Sequence, residues 1–108
     1  EMFRASDVYV MPSVSEPFGI SPLEAMQCGV PTIISKQSGC AEILRNCIKI
    51  DYWNINAMAD PYILYVQTTL YNYLKDEGKK EVDQITWVKV GNLIKELYNL
   101  TISRYYNY

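Results

Sequence analysis

Three short apolar runs punctuate the first half of the chain. Val8-Tyr9-Val10-Met11 ends at Pro12-Ser13, Thr32-Ile33-Ile34-Ser35 follows Pro31, and Cys47-Ile48-Lys49-Ile50 closes at Asp51. Runs of this length, bounded by Pro, Gly and polar residues, predict buried strands. Between the first two lies Ser21-Pro22-Leu23-Glu24. A Ser cap, Pro at the first helical position and Glu three residues after the cap predict a helix that starts at Ser21. It should run through Cys28 and stop at Gly29. Ser38-Gly39 should open a short helix through Ala41-Glu42-Ile43-Leu44. Glu1–Ser6 reads as the tail of a helix.

The second half has helical periods. Ile63, Val66, Leu70, Tyr73 and Leu74 recur at three- and four-residue spacings, so they share one helix face. Asn54 could cap an early start of that helix, or Asp60-Pro61 could restart or kink it. Gly78 is expected to end it, and the charged stretch from Lys75 to Asp83 to form a solvated turn. Thr86 should cap a last amphipathic helix carrying Trp87, Val90, Ile94, Leu97 and Tyr98. Tyr105-Tyr106-Asn107-Tyr108 should fray.

Strands alternating with helices imply parallel pairing with right-handed crossovers. The expected fold class is α/β: a three-layer, doubly wound parallel sheet, and a partial one with only three strands. The chain has 108 residues, enough for one modest core, and 49% of them are apolar. Ten Lys+Arg against twelve Asp+Glu give a net charge of −2, so no basic surplus points to nucleic acid. There is no histidine, which removes Ser-His-Asp and Cys-His nucleophile pairs and His-ligated zinc. Cys28, Cys40 and Cys47 are odd in number and lack CxxC spacing. They read as small buried hydrophobes of a reducing, cytoplasmic compartment. No apolar run reaches the length of a membrane span.

In open parallel sheets, ligands bind outside the carboxyl ends of the strands. The loop after the first strand is the richest there, with Ser13, Ser15, Glu16, Phe18, Gly19 and Ser21. It feeds a helix N-terminus, whose amides and dipole favour an anion. Gly19 lets backbone approach a ligand without a Cβ in the way. Glu16 offers a carboxylate to sugar or ribose hydroxyls. Plainer readings stand beside these. Glu24 could bond the Ser21 amide as the end of a capping box, Glu16 could be a solvated loop residue, and Phe18 a hydrophobic plug. Glu42 reads as a surface residue and Lys36 as a solvated lysine.

Glu16-Pro17-Phe18-Gly19-Ile20-Ser21-Pro22-Leu23-Glu24 resembles the E-x7-E motif of retaining GT-B glycosyltransferases of the large GT4-type family. The strand Ala5–Ser13, the stretch Ala25–Ile33 and the turn Ser38-Gly39-Cys40-Ala41-Glu42-Ile43 are similar to the segments flanking that motif. Trp87 and Tyr98 sit where the family's closing helix often has aromatics. The match is close over about the first half and looser beyond. It implies that residues 1–108 form part of a nucleotide-sugar-binding domain, the later half of the GT-B C-terminal domain. Glu16 would be the catalytic-site carboxylate at the donor sugar. Phe18, Gly19 and Ile20 would present main-chain amides to the same sugar. Ser21 and Leu23 amides would help hold the diphosphate, and Glu24 would bond the ribose. Transfer in this family retains anomeric configuration and uses no bound metal or other cofactor beyond the nucleotide-sugar donor.

The resemblance also implies gaps. The acceptor-binding domain and the segment carrying the diphosphate-clamping Arg and Lys have no counterpart here. The chain is therefore expected to be a fragment that binds nucleotide weakly and does not catalyse transfer alone. Its first strand would then be an open apolar edge, which predicts a homo-oligomer. The alternative is a non-catalytic Rossmann-like remnant or assembly module.

Overall fold

In the computed structural model, which describes residues 1–60 and 68–106, three strands form one parallel sheet in the order β1-β2-β3. They are β1 (Tyr9–Met11), β2 (Thr32–Ser35) and β3 (Ile48–Ile50). Tyr9 pairs with Thr32 and Met11 with Ile34; Ile33 pairs with Ile48 and Ser35 with Ile50. All four residues of the central strand are buried, as expected for a strand covered on both faces. β1 is one edge of the sheet, and its Val10 is exposed.

Alternation along β2 sends its neighbours to opposite faces. Ile34 packs with Met11, Met26, Cys40, Ala41 and Leu44 on one side. Ile33 packs with Ile50 and Leu74 on the other, backed by Val8, Ile48, Ala57 and Met58. Helix α1 (Ile20–Gln27) and the 3-10 turn η1 (Gly39–Glu42) supply residues to the first cluster, and α2 (Ile55–Ala59) to the second. The expected three-layer α/β class is what the chain adopts.

The element ends follow local chemistry. α1 closes on a left-handed glycine, Gly29 (φ 75°). The Gly29 amide donates to the Met26 carbonyl and the Val30 amide to that of Ala25, at 2.9 and 3.0 Å. Asn54 caps α2, its Oδ1 accepting from the Ala57 amide at 3.2 Å. The expected early start of the long helix at Asn54 is instead a separate short helix, which closes at Ala59 with Asp60 extended. The restart or kink expected at Asp60-Pro61, and Ile63 and Val66 of the periodic face, fall in or border the stretch outside the described residues.

Helix α3 (Thr68–Asp83) corrects two expectations. It does not end at Gly78, and Lys75–Asp83 is helical instead of a solvated turn. Gly78 is buried inside it, where an added Cβ would stand 3.2 Å from Met26 Cε and 3.4 Å from the Asn46 carbonyl. Close approach to α1 and the β3 entry thus holds a glycine that by propensity reads as a stop. Val82 joins the first cluster. Glu81 accepts from the Arg45 and Asn46 amides at 2.9 and 3.0 Å, covering the turn before β3. Tyr73 lies 55% exposed, off the face that buries Leu74.

Thr86 caps the last helix, α4 (Trp87–Tyr106), with the Lys89 amide donating to its Oγ1 at 3.3 Å. α4 continues through Tyr105 and Tyr106, where fraying was expected; Asn107 and Tyr108 of that expectation lie outside the described residues. Its apolar stripe is present, yet every described residue of α4 is exposed. The helix projects from the body. The principal extents are 60 × 27 × 24 Å and the radius of gyration is 17.3 Å, against about 13 Å for a compact chain of this length. Residues 2–5 form turns only, not a regular helix tail.

Of the cysteines, Cys40 is buried while Cys28 and Cys47 are half-buried; all three are free thiols. Burial pushes the Cys47 thiol up to about 11, with the Lys49 charge opposing and Glu81 and Cys40 adding. The thiolate is thus disfavoured in the folded state. Alkylation of Cys47 by iodoacetamide at pH 8 should be roughly a hundredfold slower folded than in urea, read by mass spectrometry. The neutral thiol is compatible with the folded state and the thiolate opposes it. The contribution is fully present below pH 9, the unfolded value, and is lost as pH rises from 9 to 11.

Candidate functional site

The loop from Pro12 to Gly19 leaves the carboxyl end of β1 and is tied to the neighbouring loop after β2. Ser35 Oγ donates to the Ser13 carbonyl at 2.6 Å, and Ser38 Oγ to the Ser35 carbonyl at 2.7 Å. Further on, Glu16 forms an isolated parallel bridge with Ser38. The Gly39 amide donates to the Glu16 carbonyl at 2.8 Å, and the Cys40 amide to the Phe18 carbonyl at 2.7 Å. Backbone that would otherwise be orphaned in a partly buried loop is satisfied this way.

Gly19 is the pivot. It is buried, with φ 95° and ψ 92°, a conformation for which L side chains are poorly suited. A Cβ there would stand 3.3 Å from Cys40 Sγ, Glu16 Cγ and Met11 Cε. The Glu16 side chain therefore lies against Gly19, and the chain turns directly from it into α1.

α1 begins two residues earlier than the Ser-Pro signature predicts. Gly19 is the cap, and no side chain caps the helix. Ser21 and Pro22 fall inside the first turn, so the capping box does not form. A helix starting at Ile20 leaves the Ile20 and Ser21 amides without an intrahelical acceptor, and Pro22 carries no amide hydrogen at all. Leu23 sits where its amide closes the first helical bond onto Gly19, so the open amides lie one step earlier than expected. Leu23's side chain is half-buried against the first core cluster.

The two motif carboxylates are uncommitted. Neither the Glu16 nor the Glu24 carboxylate makes a hydrogen bond or ion pair with another described residue. Glu24 is exposed and Glu16 half-buried. A cavity of about 580 Å³ opens between α1 and the start of α4. Phe18, Ile20, Leu23 and Glu24 line one side; Val82, Ile85, Thr86, Trp87 and Val90 line the other. Glu16 is not part of this wall. The loop brings Glu16 to Gly19, but the structure does not put both carboxylates in that one cavity. Lys36 lies 3.7 Å from Asp51, and Gln37 Nε2 donates to Asp51 Oδ1 at 3.0 Å, so these residues brace the ends of β2 and β3. Glu42 is exposed at the end of η1, as read from the sequence.

Residues 1–81 match the family described as Glycosyl transferases group 1. The chain belongs to this family. Among its relatives, an uncharacterised glycosyltransferase of Methanocaldococcus jannaschii is 32% identical over 106 residues, covering 93% of this chain and 26% of that protein. A D-inositol 3-phosphate glycosyltransferase of an Arthrobacter species is 45% identical over 107 residues, 95% of this chain and 25% of that protein. The chain spans about a quarter of the length of such relatives.

Solved structures share the fold. Sucrose-phosphate synthase from Thermosynechococcus elongatus superposes with a TM-score of 0.77 at 25% identity, over 95% of this chain and 27% of that one. HepE of Anabaena, solved in complex with UDP-glucose, gives 0.75 at 22% identity, over 91% and 29%. The expected partial Rossmann-like class agrees with this. Among the described residues no helix is long and apolar enough to cross a membrane.

Sequence reasoning singled out the loop and missed what holds it. Ser35, Ser38, Gly39 and Cys40 are its supports, and the only signal was a small-residue turn, Ser38-Gly39, without a partner in view. The α3–α4 junction, Val82 to Val90, was also missed as a wall. Its residues come close to Phe18 only after α3 packs on α1.

Proposed function

We propose that this chain is the donor-binding part of a retaining, metal-independent glycosyltransferase of the GT4 type, with Glu16 and Glu24 as the two acids of an E-x7-E motif. One observation carries the reading: the Glu16–Gly19 loop is clamped at the carboxyl ends of the strands and delivers an uncommitted carboxylate beside an uncapped helix N-terminus. Glu16 accepts from donor-sugar hydroxyls, and Phe18, Gly19 and Ile20 contribute main-chain groups to the same sugar. The open Ser21 amide faces the diphosphate, with Leu23 packing beneath it, and Glu24 bonds the ribose. In the transfer, the bond from the anomeric carbon to the diphosphate breaks and its electron pair leaves on phosphate oxygen. The acceptor hydroxyl adds on the same face and passes its proton to the departing phosphate oxygen. Amides fixed at a helix start stabilise the departing charge. The acceptor domain lies outside this chain, so the chain alone binds donor weakly and does not turn over.

UDP-glucose, the ligand bound to the Anabaena neighbour, is the natural probe. In an NMR titration of the chain, UDP-glucose should bind at least fivefold tighter than UDP, with shifts at Ile20 and Ser21. Glu16→Gln should abolish that preference and leave UDP binding unchanged. Glu24→Gln should weaken both ligands about tenfold, the loss of one charge-assisted hydrogen bond. Absence of any shift in the wild type sinks the proposal.

A second reading, a non-catalytic assembly module, draws on the open β1 edge and the exposed apolar stripe of α4. It expects no nucleotide binding, with self-association that grows with concentration in light scattering.

A further inference from the structure

Gly39 touches none of the atoms proposed to meet the donor, yet the loop that carries them rests on it. An added Cβ at Gly39 would lie 1.8 Å from the Pro17 carbonyl oxygen, 2.6 Å from its carbon and 3.0 Å from Phe18 Cα. All three are backbone atoms, so no side-chain rotation relieves the clash. On either side of this contact the turn donates two short bonds, from Gly39 to the Glu16 carbonyl and from Cys40 to the Phe18 carbonyl. The sulfur of Cys40, fully buried, lies under Gly19.

We infer that Gly39 is a positioning residue for the donor sugar: its bare backbone, with the Cys40 amide, is the template that sets the height and shape of the Glu16–Gly19 loop. The inference rests on the donor-binding reading above and adds to it a residue with no ligand contact of its own. A methyl group at Gly39 must push the Pro17 carbonyl out to ordinary contact, about 3.4 Å or more, a displacement above 1 Å. A shift of that size takes the loop out of register with the sugar and removes the preference for UDP-glucose over UDP. The loss should fall on the sugar, which the loop holds, and not on the nucleotide, which α1 holds. α1 has its own support, since Ala25 and Met26 are buried in the core.

The test compares UDP with UDP-glucose on the full chain. Gly39→Ala should bring UDP-glucose affinity down to that of UDP while UDP affinity stays within twofold. An equal loss for both ligands would mark Gly39 as merely structural and overturn the inference; so would an intact preference for UDP-glucose. If Gly39→Ala does not fold, amide exchange in the wild type decides. UDP-glucose should slow exchange of the Gly39 and Cys40 amides at least tenfold more than UDP does, because the sugar presses the loop onto the turn. Equal protection by both ligands overturns it. A wild type that binds both ligands equally removes the donor-sugar reading first, and this inference with it.

Discussion

Truncating Ile34 to alanine is expected to cost about 4 kcal/mol and to lower the melting temperature by roughly 20 °C. Ile34 is the third residue of the central strand, with no exposed surface. It pairs with Met11 on one side and Lys49 on the other, and packs against Met26, Cys40 and Leu44. Removing three carbons there opens a cavity that three separate elements would have to move to fill, and strands held on both sides cannot close in. Ile34→Val, which deletes one methyl, should cost about 1 kcal/mol. Urea unfolding of the two variants checks the pair. A loss below about 1 kcal/mol for alanine would mean that this core is loosely packed.

Gly19→Val is expected to damage the site more than any change of a contact residue. The backbone at φ 95°, ψ 92° forces a β-branched side chain into strain on the order of 1–3 kcal/mol. The added Cβ also meets Cys40 Sγ, Glu16 Cγ and Met11 Cε at 3.3 Å, so the Glu16 side chain is displaced along with the fold. Stability should fall by about 3 kcal/mol. Binding of UDP-glucose should drop below detection in the same titration that follows Glu16. Gly91→Ala is the control. No described residue lies within 4 Å of a Cβ there, so the substitution should stabilise α4 by about 1 kcal/mol. Thermal melts of both variants separate the two roles of glycine.

Exposed surface sets this chain apart from a compact domain. Its accessible area is 7980 Å², against about 6,000 Å² for a compact folded chain of this mass. Much of the excess lies on α4, where Trp87 is 90% exposed and Leu93 66%.

The strands and the loop after β1 could be read from local composition because each depends on neighbours in sequence. A short apolar run between Pro, Gly and polar residues has few ways to satisfy its backbone other than a buried strand. Asn54 and Thr86 likewise cap helices by reaching only three residues ahead. Two expectations built on equally local signals failed at particular residues. Ser21-Pro22-Leu23-Glu24 looks like a helix start, but α1 begins at Ile20, two residues past the Phe18 carbonyl that the Cys40 amide holds. Gly78 looks like a helix stop, but Met26 and Asn46 crowd the place where a side chain would be. In both cases contacts between residues distant along the chain outweighed propensities of about 1 kcal/mol.

Order of elements, parallel pairing and the acidic pair spaced around a glycine are therefore written in the residues themselves, since strand length, turn chemistry and spacing are short-range properties. Whether Glu16 and Glu24 meet in one hollow, which glycine bears the loop, and that α4 stands clear of the body depended on packing. Those outcomes turn on distances between segments that no local pattern encodes, and a clash of a few tenths of an ångström is enough to choose among them.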